Sequence, residues 1–348
     1  MMFKRTVTGM MALLLVLALF VAQGSQPHQA AAAPSFAKGA DISWVPGMEA
    51  QGYKWKDKNG VQRDILDILK NDYQINSVRI RVWVNPSSSY TNGYLNKDRA
   101  AALAKRAKAA GMSVMLTLHY SDSWADPGQQ TKPAAWKSYT FQQLMDAVWN
   151  WTRDVMTTMQ ANGVTPDWVQ IGNETNNGML WDDGKASLSM KNYAWLVNTG
   201  NNAVKSISSS TKTIVHLANG YDNSLFVWNI GGLIANGATF DIIGMSLYPS
   251  ASDWSAKVTQ TIANANDMIS RYGKPIMVTE IGMDYSQPSA AKSFVSDIKT
   301  KIRNLSGGKG QGVFYWEPEA TPGYNGGYSM GAWQADMKPT IALEGFWN

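Results

Sequence analysis

The chain has 348 residues with 31 basic and 26 acidic side chains, a net charge of +5 and no cysteine. Disulfides and thiol catalysis are therefore excluded, and the fold must rest on its core alone, which a chain of this length can supply. The charge excess is too small to imply a nucleic-acid or polyanion partner.

Lys4 and Arg5 precede an apolar run from Met10 to Ala22, and a Gln/Ala/Pro stretch follows. This pattern predicts a secretory signal peptide over residues 1–33, with cleavage near Ala33 or at Ala22. The run is short for a membrane span, and no later run reaches the required ~20 apolar residues. We therefore expect a secreted, extracellular chain whose residues 34–348 form one domain; an uncleaved N-terminal anchor is the alternative. Removing Lys4 and Arg5 lowers the charge from +5 to +3. Fifteen Trp and fourteen Tyr serve either to fill a core or to offer flat apolar surface for stacking sugar rings.

No linker, repeat or low-complexity segment interrupts the sequence after residue 36. Eight β-like runs recur along it: KGADISW from 38, SVRIRVWV from 77, SVMLTLHY from 113, DWVQIGNE from 167, TIVHLAN from 213, FDIIGMSLYP from 240, PIMVTEIG from 275 and GVFYWE from 312. Most are nearly continuous apolar runs, as expected of strands buried on both faces. Helical patterns separate them. In VQRDILDILKND, Val61, Ile65, Ile68 and Leu69 share one face. Residues 98–111, 141–162, 190–207, 255–272 and 289–304 also read as helices, the first ending in a Gly suited to a helix C-terminus. Eight β-then-α units predict an α/β protein built as a single closed (β/α)8 TIM barrel. An open doubly wound sheet is the alternative, but no Gly-rich phosphate loop follows the first strand.

In a barrel, the C-terminal strand ends face a common mouth. Here those ends carry Asp41, Arg79 and Arg81, His119, Asn173 with Glu174, Tyr248, Glu280 and Trp316; His216 on the fifth strand is a weaker candidate. Each also has a structural explanation. A lone Glu can cap or pair, Arg79 and Arg81 can form salt bridges, and His119 and Trp316 can be core residues. Their joint occurrence at one face is what favours a site. With only His119 and His216 left after leader removal, a three-His zinc site is unavailable, and no GxSxG turn appears. Glutamates on strands four and seven remain. Two carboxylates across a sugar-binding mouth are the apparatus of glycosidic bond hydrolysis.

The segments GADISWVPGME (39–49), VRIRVWVNP (78–86), LAKRAKAAGMSV (103–114), LHYSDSWADPGQQTKPAAW (118–136), IGNETNNGMLW (171–181), VTEIG (278–282) and GVFYWEP (312–318) resemble the arabinogalactan endo-β-1,4-galactanases, glycoside hydrolase family 53 of clan A. The Asn-Glu and the second Glu are clan features, whereas HYSDSWADPGQQ and RVWVNP are more specific. The resemblance implies that Glu174 is the acid/base and Glu280 the nucleophile. It further implies that Asn173 binds the neighbouring sugar hydroxyl, that Arg79, His119 and Tyr248 surround Glu280, and that Trp316 floors the −1 sugar site. Trp44, Trp83, Trp124, Asp126 and Trp181 are candidate sugar contacts, with core packing an equal explanation for the tryptophans. Some bacterial galactanases carry calcium in long loops after strands seven and eight; residues 281–311 are compact here, with too few clustered oxygen ligands to predict it. The loop ATPGYNGGYSMGAWQ after strand eight could instead line a shortened end of the cleft. The resulting expectation is a monomeric enzyme acting on β-1,4-galactan, with no cofactor, nucleic acid or membrane. A mannanase, xylanase or cellulase on the same frame, and a non-catalytic carbohydrate-binding barrel, are the competing readings.

Overall fold

The computed structural model describes residues 35–87, 89 and 94–348; the expected signal peptide lies outside them. Eight strands run β1 Ala37–Asp41, β2 Ser77–Val82, β3 Ser113–Leu118, β4 Trp168–Ile171, β5 Lys212–Leu217, β6 Ile242–Leu247, β7 Ile276–Ile281 and β8 Gly310–Tyr315. All pair in parallel in chain order, and β8 returns to β1, so the sheet closes. The helices are α1 Val45–Ala50, α2 Ile65–Asp67 (continued as a π turn, Ile68–Asp72), α3 Lys97–Ala109, α4 Phe141–Ala161, α5 Met190–Ile207, α6 Asn223–Ala235, α7 Trp254–Tyr272 and α8 Pro288–Arg303. The architecture is a (β/α)8 barrel, as the sequence predicts. Among the described residues, no helix is long and apolar enough to cross a membrane.

Local chemistry sets the helix ends. Thr140 opens α4 with a capping box: its hydroxyl accepts from Gln143 N at 3.3 Å while Gln143 Oε1 accepts from Thr140 N at 2.9 Å. The helix then buries Leu144, Val148, Val155, Met156 and Met159, one stripe against the barrel. One expectation needs correction, and one helix is not among those expected. Val61 lies outside α2, because Asp64 caps the helix by accepting from Leu66 N at 2.8 Å, and Val61 stays 56% exposed. Helix α6 has no stripe to read in its sequence, NSLFVWNIGGLIA. It is apolar nearly all round, and Gly231 and Gly232 lower its helix propensity.

Alternation along the strands separates two cores. Val78, Ile80, Val114, Leu116, Val169 and Ile171 join the main cluster that takes in the helices. Ala37, Met115, Trp168, Ile214, Ile242, Met277 and Phe314 form a separate cluster, which by the two-residue period of a strand fills the barrel interior. Gly39 admits the Phe314 ring to this plug, since a Cβ at Gly39 would stand 2.0 Å from it. Moving two residues on towards the C-terminal ends changes the interior chemistry. Beyond Trp168 comes Gln170, and beyond Ile214 comes His216, both fully buried. The bottom of the lumen is thus a closed apolar floor, and a polar layer lies above it towards the mouth.

Two acidic residues belong to the opposite, N-terminal end. Asp167 Oδ2 accepts from Val114 N and Lys108 Nζ, at 2.8 and 2.7 Å. Asp241 Oδ2 repeats the arrangement one unit later, with Thr213 N and Lys205 Nζ at 2.8 and 2.7 Å. These carboxylates tie strand starts to helices and are remote from the mouth.

Candidate active site

The chain turns sharply where β4 ends. Gly172 has φ +85°, and a Cβ there would meet Thr175 Cγ2 at 2.6 Å. Glu174 itself has φ +45°, an unusual backbone conformation for an L-residue. The turn is held from several sides: Gln130 Nε2 donates to Asn173 O at 2.8 Å, and Thr175 N donates to His216 O at 2.9 Å. The geometry lifts Asn173 and Glu174 out of the strand and into the mouth.

A cavity of about 350 Å³ opens there, lined by Trp44, His119, Trp124, Ala125, Asp126, Asn173, Glu174, Tyr248, Glu280, Trp316, Asn325 and Tyr328. It therefore brings together most of the expected site residues. Arg79 lies directly behind it, 1% exposed. Its Nη2 contacts Glu280 Oε1 at 2.7 Å and Asn173 Oδ1 at 2.8 Å, while Nη1 contacts Asp41 Oδ2 at 2.6 Å. Nε donates to Gln170 Oε1 at 2.7 Å. Burial works against the guanidinium charge, but Glu280 and Asp41 outweigh it and hold the pKa above its ordinary value. Removing one member of such a buried set costs ~3–5 kcal/mol, because the other charges are left uncompensated.

The two glutamates have different surroundings. Glu280 has both oxygens occupied: Arg79 takes Oε1, and Tyr248 OH donates to Oε2 at 2.8 Å. Burial holds its pKa above the ordinary carboxylate value, with Arg79 and Tyr248 pulling against that rise. Glu174 receives one neutral donor, Ser246 Oγ, at 2.7 Å. Burial and the nearby charge of Glu280 push the Glu174 carboxyl up to about 8, with Ser246 and Arg79 only partly opposing them. One site thus holds a carboxyl with two strong donors and a carboxyl that keeps its proton far above the usual range.

His119 faces the cavity but does not contact Glu280 through a hydrogen bond. Its Nδ1 accepts from Ala125 N at 3.2 Å, so Nε2 carries the ring proton. Burial together with Arg81 and Arg79 holds its pKa well below the ordinary value, which makes it a neutral donor. Asn173 is held at both ends of its amide, by Arg79 and by Ala125 O, to which Nδ2 donates at 2.8 Å. One of its two N–H groups remains for a ligand. Asp126 closes its own turn by accepting from Gly128 N and Gln129 Nε2 at 2.8 and 2.9 Å.

An aromatic wall completes the mouth. Trp44 meets Trp316, Tyr324 and Tyr328 edge to face at 5.1 to 5.2 Å. Arg81, which sequence reasoning paired with Arg79, has a separate function. Its guanidinium lies 4.3 Å from the Trp124 ring and 4.8 Å from Trp83, and it pairs with Glu317 at 3.0 Å. Arg81 therefore props the wall from behind. Trp83 is 1% exposed, packed against His119 and Trp124 and away from the cavity lining. Trp181 also stays out of the lining; its Nε1 donates to Asn177 O at 2.8 Å and Lys185 covers its ring. The loop after β8 contributes Asn325 and Tyr328 to the cavity.

The sequence reading missed Gln130, Gln170, Ser246 and Glu317. For Gln170 and Ser246 the available signal was a polar residue interrupting an apolar strand, in WVQI and IIGMSL.

Residues 37–338 match the family described as Glycosyl hydrolase family 53. The chain belongs to that family. This family 53 chain is 38% identical over 316 residues to a Neosartorya fischeri protein described as a probable arabinogalactan endo-β-1,4-galactanase A, covering 84% of this chain and 86% of that one. Its fold superposes on the Ignisphaera aggregans GH53 catalytic domain with a TM-score of 0.82 at 30% identity, over 90% and 96% of the two chains. A solved fungal β-1,4-galactanase gives 0.81 at 31% identity, over 89% and 98%. The fold and family expected from the sequence are both confirmed by these likenesses.

Proposed function

We propose that this family 53 glycoside hydrolase is a secreted, retaining endo-β-1,4-galactanase, with Glu174 as acid/base and Glu280 as nucleophile. The observation that carries the assignment is the asymmetry between the two carboxyls. Glu280 sits against a permanent cation and a phenol hydroxyl, which favour the ionised form needed for attack. Glu174 has a pKa pushed up to about 8 and stays protonated at neutral pH, as a general acid must.

In the first step Glu280 attacks the anomeric carbon as the glycosidic C–O bond breaks, and the Glu174 proton passes to the departing oxygen. In the second, Glu174 takes a proton from water, whose oxygen displaces Glu280 from the sugar. Loss of the negative charge on Glu280 in the ester lowers the Glu174 pKa, because the carboxylate beside it was one cause of the rise. The acid of step one thereby becomes the base of step two. Retaining pairs stand ~5–5.5 Å apart, too close for an intervening water. In support, Ser246 is the register partner of Glu280 across β6 and β7, and its hydroxyl touches Glu174. Both carboxyls therefore flank one residue. Trp316, in the aromatic wall that lines the cavity, offers an apolar ring face for a sugar, and Asn173 and His119 offer N–H donors for its hydroxyls.

Two measurements test this. Reducing sugar should be released from linear galactan and not from mannan or xylan; preference for either of those would overturn the substrate. On galactan, kcat/KM should fall as pH rises through about 8, since the proton leaving Glu174 is the one the first step needs. Activity still rising through that range would contradict the acid assignment.

A further inference from the structure

Three buried residues behind Glu174 form a continuous hydrogen-bonded series whose direction is set at one end. Arg79 can only donate, so Gln170 Oε1, 2.7 Å from Arg79 Nε, must be the accepting end of that amide. The amide nitrogen then faces His216 Nδ1 at 2.9 Å and donates to it. An accepting Nδ1 places the ring proton on Nε2, which lies 2.7 Å from Ser246 Oγ. Ser246 accepts from the ring and gives its own proton to Glu174 Oε1 at 2.7 Å. Glu174 N also approaches His216 Nδ1, at 3.4 Å, which again requires that nitrogen to accept. Gln170 and His216 are 0% exposed and Ser246 1%. These groups are sealed from bulk solvent, and reversing any bond would leave two buried donors facing each other.

We propose that Gln170, His216 and Ser246 are positioning residues that carry the donor character of Arg79 to Glu174 Oε1 and so confine the catalytic proton to Oε2. The proposal rests on the acid/base reading of Glu174. Oε1 receives the Ser246 hydroxyl proton, so a carboxyl proton on Oε1 would leave one of two protons without an acceptor. Oε2 has no such partner among the described residues. The same Arg79 also holds Glu280 through Nη2. One guanidinium thus orients both glutamates, one directly and one through three residues and four hydrogen bonds in series. The bulge between Met245 and Ser246 shifts the register of β6 against β7 just where Ser246 must reach Glu174.

Ser246→Ala tests the terminal link. The groups facing Glu174 are Glu280 from β7, Arg79 from β2, Asp126 from the loop after β3, His216 from β5 and Ser246 from β6. Only the last is altered. Losing a donor that favours the carboxylate should move the alkaline limb of kcat/KM on galactan upward from about 8. It should also lower kcat roughly ten- to a hundred-fold, the effect of one charge-assisted hydrogen bond, with KM little changed. Ser246→Thr, which keeps the hydroxyl, should restore both. An unmoved limb in Ser246→Ala, whatever its thermal midpoint, would overturn the proposal.

A second readout is independent of catalysis. Nitrogen-15 NMR of the histidine rings, with the His216 signals assigned by their loss in His216→Asn, should show a neutral Nε2–H tautomer from pH 5 to 8. A Nδ1–H tautomer, or titration inside that range, would break the chain at its centre. Correct tautomer and limb shift combined with equal losses for Glu174→Gln on good and poor leaving groups would instead fault the acid/base reading.

Discussion

Glu280→Gly should hydrolyse galactan on the order of 10⁵-fold or more slowly than wild type, the scale seen when a covalent nucleophile is removed. The loss has a specific chemical remedy. With an activated aryl β-galactobioside and sodium azide, the small anion can enter the space left by the carboxylate and attack the anomeric carbon from the same face. The C–N bond forms as the aryl oxide leaves, and one inversion gives an α-galactosyl azide. Removing Glu280 costs stability, but Arg79 keeps Asp41 as a partner at 2.6 Å, so its charge is not left unpaired. If Glu280 were only a structural acceptor for Arg79, Glu280→Gln would keep its turnover and azide would give no α product.

Glu174→Gln should slow galactan hydrolysis by roughly 10²–10⁴, the usual contribution of general acid–base catalysis. The loss depends on the leaving group. An alkoxide from galactan needs the Glu174 proton, whereas a dinitrophenolate leaves without it. On the activated substrate the first step should therefore stay fast while the second, deprived of its base, becomes slow. The signature is a burst of dinitrophenol equal to the enzyme concentration, followed by a slow steady state. Equal slowing on both substrates, without a burst, would remove Glu174 from the acid role.

Much of this molecule is legible in its sequence, for reasons that particular residues make plain. All eight strands appear because a parallel strand covered on both faces is apolar throughout, as in SVMLTL, where every residue is buried. Glu174 and Glu280 are visible because a carboxylate ending such a run is costly unless it has a partner. Helix α6 is not visible, since it lacks the one-sided stripe from which helices are read. Gln170 and Ser246 are hidden for a related reason. A neutral polar residue in a strand gives no sign of whether it faces lumen or helices, and the position of Ser246 also depends on a bulge that no pattern in IIGMSL announces. Trp83 and Trp124 show the limit for aromatics. They belong to the same wall, yet Trp124 lines the cavity and Trp83 stands behind it, a difference set by packing around Arg81.

The central claim is double displacement by Glu280 and Glu174, and the stereochemistry of the first product tests it most directly. Two inversions at the anomeric carbon leave its configuration unchanged. Proton NMR of a galactan or β-galacto-oligosaccharide digest, recorded before mutarotation sets in, should show the new reducing end as the β-anomer. The α-anomer should grow in only later, at the spontaneous rate. An α-anomer as the first product would mean direct attack by water, and would contradict both the nucleophilic role of Glu280 and its pairing with Glu174.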